Sequence, residues 1–142
     1  MPSIMQTIEA NSTLKTLATA LKTAGMTDWL NKPGSFTFFA PNDDAFKRLN
    51  IEVIMEDKDK LATILQYHLV AEKHAAAALD AQNIFTLATE MGKSLSVYLD
   101  ENEIMIDNAH IIEPDIECAN GVIHIIDNVF LPQHSGWYET TA

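Results

Sequence analysis

Apolar residues recur at helical spacing along the first half of the chain and at every second position along much of the rest. Leu14, Leu17, Ala18 and Leu21 fall at i, i+3, i+4 and i+7, which predicts one amphipathic helix. Asn11 or Ser12 is placed to accept an orphan backbone N–H at its start, and Gly25 to end it in a left-handed conformation. A short amphipathic piece around Met26 to Leu30 leads into the turn Asn31-Lys32-Pro33-Gly34. Phe36-Thr37-Phe38-Phe39-Ala40 is short, aromatic and bounded by prolines, and predicts a buried strand. The chain then enters Pro41-Asn42-Asp43-Asp44-Ala45-Phe46, where Asn42 is a helix cap. The carboxylates of Asp43 and Asp44 fall in the first turn, facing the positive end of the helix dipole, each contributing about 0.3–1 kcal/mol. A second capped helix is expected from Asp57, with Leu61, Ile64, Leu65 and Leu69 on one face, ending near Tyr67-His68-Leu69-Val70. The alanines of His74 to Asp80 favour helix by propensity.

From Ile84 the period becomes two. Leu95, Val97 and Leu99 alternate with Ser94, Ser96 and Tyr98, and Asp100-Glu101-Asn102 makes a turn. Ile104 and Ile106 continue the pattern, followed by Ala109-His110-Ile111-Ile112. Pro114 is expected to end that strand and Ile116 to begin the next, which reaches the hairpin signal Asn120-Gly121. Val122 to Ile126 returns as a strand, and Val129-Phe130-Leu131 is expected to extend it to Pro132. Helices first and strands afterwards predict an α+β domain, helices packed on an antiparallel sheet or sandwich. A length of 142 residues fits one such domain.

The balance of 20 acidic against 9 basic side chains gives a formal charge of −11, which repels phosphate backbones and anionic lipid. Nucleic acid is therefore excluded as a partner. No segment is long and apolar enough to insert into a bilayer, and the first residues lack the charged and apolar regions of a secretion signal. The one cysteine, Cys118, forms no intrachain disulfide and reads as a small packed residue.

Catalytic signatures are missing. Gly92-Lys93-Ser94 mimics the end of a phosphate loop, but Leu87 stands where its first glycine is required and strand residues follow. Neither a nucleophile elbow nor a Cys pair is present. The five histidines, at 68, 74, 110, 124 and 134, have no short ligand spacing, so no metal or cofactor is expected, although His110 and His124 could meet across strands with Cys118 or Asp127. His68, at a helix end, reads as a structural hydrogen-bonding group. Asn11-Ser12-Thr13 matches a glycosylation sequon, to which no function is attached.

Three stretches resemble, in order and spacing, the signatures of the fasciclin (FAS1) domain family. They are Phe36 to Phe46, including Phe38, Ala40, Pro41, Asn42, Asp43, Ala45 and Phe46; the Tyr67-His68 motif; and Asn120-Gly121-Val122-Ile123-His124-Ile125-Ile126-Asp127 continuing to Pro132. The likeness implies a wedge-shaped β-sandwich flanked by several α-helices over residues 1–132, with both long signatures on neighbouring central strands and 133–142 as a C-terminal tail. It further implies a non-catalytic, monomeric module for cell adhesion or matrix association, binding a protein or glycan at the cell surface. Localisation would be secreted or cell-surface, with cytoplasmic as the alternative because no leader is visible. Tyr67 and His68 match a motif tied to adhesion, and Glu113-Pro114-Asp115-Ile116 resembles a short acidic receptor-recognition motif, so Tyr67, His68, Asp115 and Ile116 are the expected partner contacts, with a turn role the alternative for Asp115. Two departures stand out: Asn42 replaces the family's Thr, and Ala71-Glu72-Lys73 replaces its Pro-Gly turn. Two other functions compete. One is carriage of a small apolar ligand such as a carotenoid; the other is acid/base catalysis by Asp43, Asp44 and His68.

Overall fold

The computed structural model describes residues 2–47, 55–75, 86–92, 94–100, 103–107 and 109–130, the side chains of 99 and 100 excepted. Helix α1 spans Ile4–Ala10, α2 Lys15–Thr23, α3 Asp43–Phe46 and α4 Lys58–Gln66, with a 3-10 turn at Trp29–Asn31. The strands are β1 Phe36–Pro41, β2 Leu69–Val70, β3 Thr86–Ala88, β4 Ser94–Asp100, β5 Glu103–Ile106, β6 Ala109–Cys118 and β7 Gly121–Ile126. They form a single sheet in the order β2-β1-β7-β6-β5-β4-β3. A bridge between Val70 and Thr89 joins the two ends of that order, so the sheet curls almost closed into a barrel-like wedge. The two layers expected of a sandwich are two parts of this one curled sheet.

The two signature strands are neighbours, as the resemblance implied. β1 and β7 run parallel in unbroken register from Phe36 opposite Gly121 to Pro41 opposite Ile126. Both are covered on both faces, which is why they read as continuous apolar runs rather than alternating ones. Phe38, Ala40, Ile123 and Ile125 join the core under the helices, while Phe39 and Ile126 join the core inside the curl. Strands β3 to β6 contribute only one face to that inner core, through Leu87, Leu95, Val97, Ile106 and Ala109. Near its end β6 also reaches the helix-side core, through Cys118 and the half-buried Ile116, whereas Ser94, Ser96 and Tyr98 of β4 are exposed between its inward residues, which is the source of the period-two pattern there.

The helix ends follow the expected chemistry with one substitution of roles. Asn42 Oδ1 accepts from Ala45 N at 2.9 Å and Asp57 from Lys60 N at 3.2 Å, so both expected caps form. Gly25, at φ +75°, closes α2: its N–H reaches Lys22 O, and Met26 N–H reaches Leu21 O. The start of α2 is capped not by Asn11 or Ser12 but from a distance, by the Asp43 carboxylate accepting from Thr16 N at 2.8 Å. Asn11 instead turns the preceding loop, accepting from Thr13 N. Asp43 thus locks α2 to the end of β1.

Three further expectations are corrected. Helix α1 was not anticipated, although Ser3 and Gln6 form a reciprocal capping box that carries it. Pro114 does not end a strand: β6 continues through it, absorbing it at register shifts between Ile111 and Ile116, where no ladder N–H is required. β7 stops at Ile126, and Val129 and Phe130 are buried without being a strand. Leu131, the tail 133–142 with Trp137 and Tyr138, and the alanines from 76 to 78 lie outside the described residues.

Candidate functional site

The expected contact residues separate into a buried pair and an exposed pair. His68 is 0% exposed and lies between β1 and the segment after β7. Its Nδ1 faces the Ile64 carbonyl at 2.7 Å, so that nitrogen carries the proton, and Nε2 accepts from Phe130 N at 3.0 Å. The ring stacks on Phe130 at 4.7 Å between centroids. Tyr67 is buried beside it, edge-on to Phe130, and its hydroxyl donates to Asp107 Oδ2 at 3.2 Å. Asp107, at φ +51°, also accepts from Ser96 N and, through its carbonyl, from the Tyr98 hydroxyl. The Tyr-His motif is therefore a pin joining α4, the strand ends and the post-β7 segment, and His68 has no surface with which to touch a partner.

Burial pushes the His68 imidazole down to about 4, outweighing the opposing hydrogen bond to Ile64. The ordinary value of 6.5 applies to the unfolded chain, so between the two the unfolded state binds the extra proton. His68 therefore supplies stability that is full above pH 6.5 and is lost as pH falls towards 4, a difference of about 3 kcal/mol. Urea unfolding at neutral and acid pH should show this loss, and a ring titration by NMR should place the His68 midpoint near the lower value. A midpoint at the ordinary value would contradict the buried neutral ring.

Asp115 and Ile116 lie on the bulged part of β6. Glu113, Pro114 and Asp115 are exposed, Ile116 is half-buried against the helix-side core, and Ile112 is 52% exposed. Asp115 takes φ +57°, a left-handed conformation uncommon for a residue other than glycine. It is held there by His124, whose Nδ1 accepts from Asp115 N at 3.1 Å while Nε2 faces the His74 carbonyl at 2.7 Å. His124 is 0% exposed, stacks on Phe39, and is pushed below the ordinary value mainly by burial. Each signature histidine is thus a neutral bridge between two backbones. The Lys73 ammonium meets Glu117 at 2.7 Å, and Thr37 Oγ1 donates to Glu72 O while accepting from His74 N, fixing the loop after β2 alongside this ridge.

Asn120 and Asp127 of the last signature make their contacts within the fold. Asn120 is 3% exposed and fully engaged: Oδ1 accepts from Ile4 N at 2.9 Å, and Nδ2 donates to Leu30 O and Lys32 O, both at 2.8 Å. Asp127 accepts from His110 N at 2.7 Å and faces His110 Nδ1 at 3.2 Å. His110 and His124 thus bind different partners, and no group of three metal-binding side chains occurs among the described residues. Cys118 is buried, donates weakly to Thr7 Oγ1 at 3.4 Å, and has its thiol pushed up by burial. Of the acid/base trio, Asp43 caps α2, Asp44 meets Lys47 at the surface, and both His68 nitrogens are occupied. Phe38 packs in the helix-side core, and Phe39 and Phe130 in the inner core.

A parallel pair of doubly buried strands, each carrying a signature, within a sheet curled against helices defines a fasciclin-type module. The fasciclin domain model matches residues 12–132, and the chain belongs to that family. Protein sll1735 of Synechocystis is 39% identical over 134 residues, covering 92% of this chain and 98% of that protein. The cell surface glycolipoprotein MPB83 of Mycobacterium bovis is 31% identical over 130 residues, 86% of this chain and 57% of MPB83. A FAS1 domain pair from the insect cell adhesion molecule Fasciclin I shares the fold, with TM-score 0.72 and 22% identity over 93% of this chain and 51% of that one. No described helix is long and apolar enough to cross a membrane.

Proposed function

We propose that this chain is a non-catalytic binding module, secreted or displayed at the cell surface, that holds a protein or glycan through the bulged ridge of β6. The observation that carries this reading is the ridge itself. Asp115 is held at φ +57° by a buried histidine, with Glu113 and Pro114 exposed beside it and Ile112 52% exposed at its end. A carboxylate and an apolar side chain presented on a fixed backbone bind at low entropic cost. The surface location named for MPB83 and the adhesive role named for Fasciclin I support the same reading. Tyr67 and His68 serve it indirectly, through contacts to Asp107 and Phe130 inside the fold.

The test is retention of the purified protein on immobilised envelope or matrix preparations. Asp115→Ala combined with Ile112→Ser should weaken retention about tenfold while circular dichroism stays unchanged. Full retention by the folded double variant would remove the ridge from the account.

A further inference from the structure

We propose that Asn120-Gly121 is a latent modification site: the fold holds it inert, and any opening of the β6–β7 hairpin that outlasts the chemistry converts it irreversibly. Two separate demands put these residues side by side. Position 120 must carry a carboxamide, because Oδ1 accepts from Ile4 N while Nδ2 donates to Leu30 O and Lys32 O. Position 121 must be glycine, because a Cβ there would fall on the Phe36 backbone. The result is the one Asn-Gly pair in the sequence. In an unfolded chain such a pair is chemically unstable, since without a Cβ on the second residue nothing hinders its amide nitrogen from reaching the carboxamide carbon.

The step is a cyclisation. The Gly121 amide nitrogen gives up its proton to base and bonds to Asn120 Cγ; the Cγ–Nδ2 bond breaks and Nδ2 leaves as ammonia. Water then opens the succinimide at one carbonyl or the other, leaving an aspartate or an isoaspartate at position 120. The folded molecule opposes each requirement. The carboxamide would have to turn back onto its own chain, yet three hydrogen bonds of 2.8 or 2.9 Å hold it to α1 and to the segment of Leu30 and Lys32. Asn120 O accepts from Phe36 N at 2.9 Å, so the peptide unit containing the Gly121 nitrogen is fixed as well. Asn120 is 3% exposed and Gly121 is buried, which keeps base and water from the reacting atoms.

Neither product can rebuild the junction. An aspartate sets a carboxylate against the carbonyls of Leu30 and Lys32. An isoaspartate adds a methylene to the main chain just before the first rung of β7, where Gly121 pairs with Phe36. The working life of the module is therefore set by how often this hairpin opens. This inference does not depend on the binding role of the β6 ridge.

The test incubates the whole protein in mildly alkaline buffer, with and without denaturing guanidinium chloride, and maps position 120 by peptide mass spectrometry. Conversion should be at least about a hundredfold slower in the folded protein, because the reaction waits on opening. In guanidinium, where folding plays no part, Gly121→Ala should slow conversion about tenfold, which identifies the cyclic route. Protein converted in guanidinium and then diluted back should fail to recover the urea midpoint of a sample unfolded only briefly. Equal conversion in buffer and in denaturant, a rate indifferent to Gly121→Ala, or full recovery of the midpoint would each overturn the proposal.

Discussion

Gly121→Ala should cost about 4 kcal/mol or more, a large part of what a domain of this size has to lose. Gly121 opens β7 at φ +156°, directly opposite Phe36 of β1. A Cβ built there falls onto the Phe36 carbonyl oxygen and within 2.8 Å of the Phe36 carbonyl carbon and nitrogen. All of these are backbone atoms of the central pairing, with no flexible side chain to yield. The parallel register would have to open at its first rung, and β1 and β7 carry both cores. Gly25→Ala is the control, since Gly25 also has positive φ but nothing lies within 4 Å of its added Cβ. It should lose only about 1 kcal/mol, the cost of the left-handed conformation alone. Urea midpoints of the two variants decide the matter, and equal losses would show that close packing against Phe36 is not the cause.

Asn120→Ala ranks next, at about 3–4 kcal/mol, because one buried side chain satisfies three backbone groups from two other segments. The change strands the Ile4 N–H and the carbonyls of Leu30 and Lys32 at the junction of α1, the 3-10 turn and the β6–β7 hairpin. Asn120→Asp is the more telling variant. It keeps the acceptor for Ile4 but sets a carboxylate against two carbonyl oxygens. Protonation relieves that repulsion and restores one donor, so relative to the native protein this variant should recover stability as pH falls. The native protein moves the opposite way through His68. Thermal melts across acid pH would read both slopes, and parallel curves would refute the hydrogen-bond account of Asn120.

Much of the architecture was legible because β1 and β7 are buried on both faces while β4 alternates buried and exposed residues, so each wrote its own pattern into the chain. Asn42, Asp57 and Gly25 were legible because a cap acts on its own helix. Asp43 was half legible: its place after Asn42 was visible, but its partner, Thr16, is brought to it only by the fold. Pro114 misled because a missing N–H matters only where a ladder asks for one, and the bulge removes that demand. Tyr67 and His68 stood out as a motif, but a motif does not reveal which way its side chains turn, and these turn inward. Asp107 left no signal at all. Its role arises from a turn that brings Ser96, Tyr98 and Tyr67 to one carboxyl-bearing residue.

The pairing of positions 36 and 121 also governs when the molecule can come into being. During synthesis the first central strand emerges long before its parallel mate, and until then an aromatic stretch waits with one hydrogen-bonding edge uncovered. Local helices can form early, but closure must await nearly the whole domain, so this topology favours slow, late folding. The interval before Gly121 leaves the ribosome is the period when Phe36 to Ala40 most needs protection from other chains.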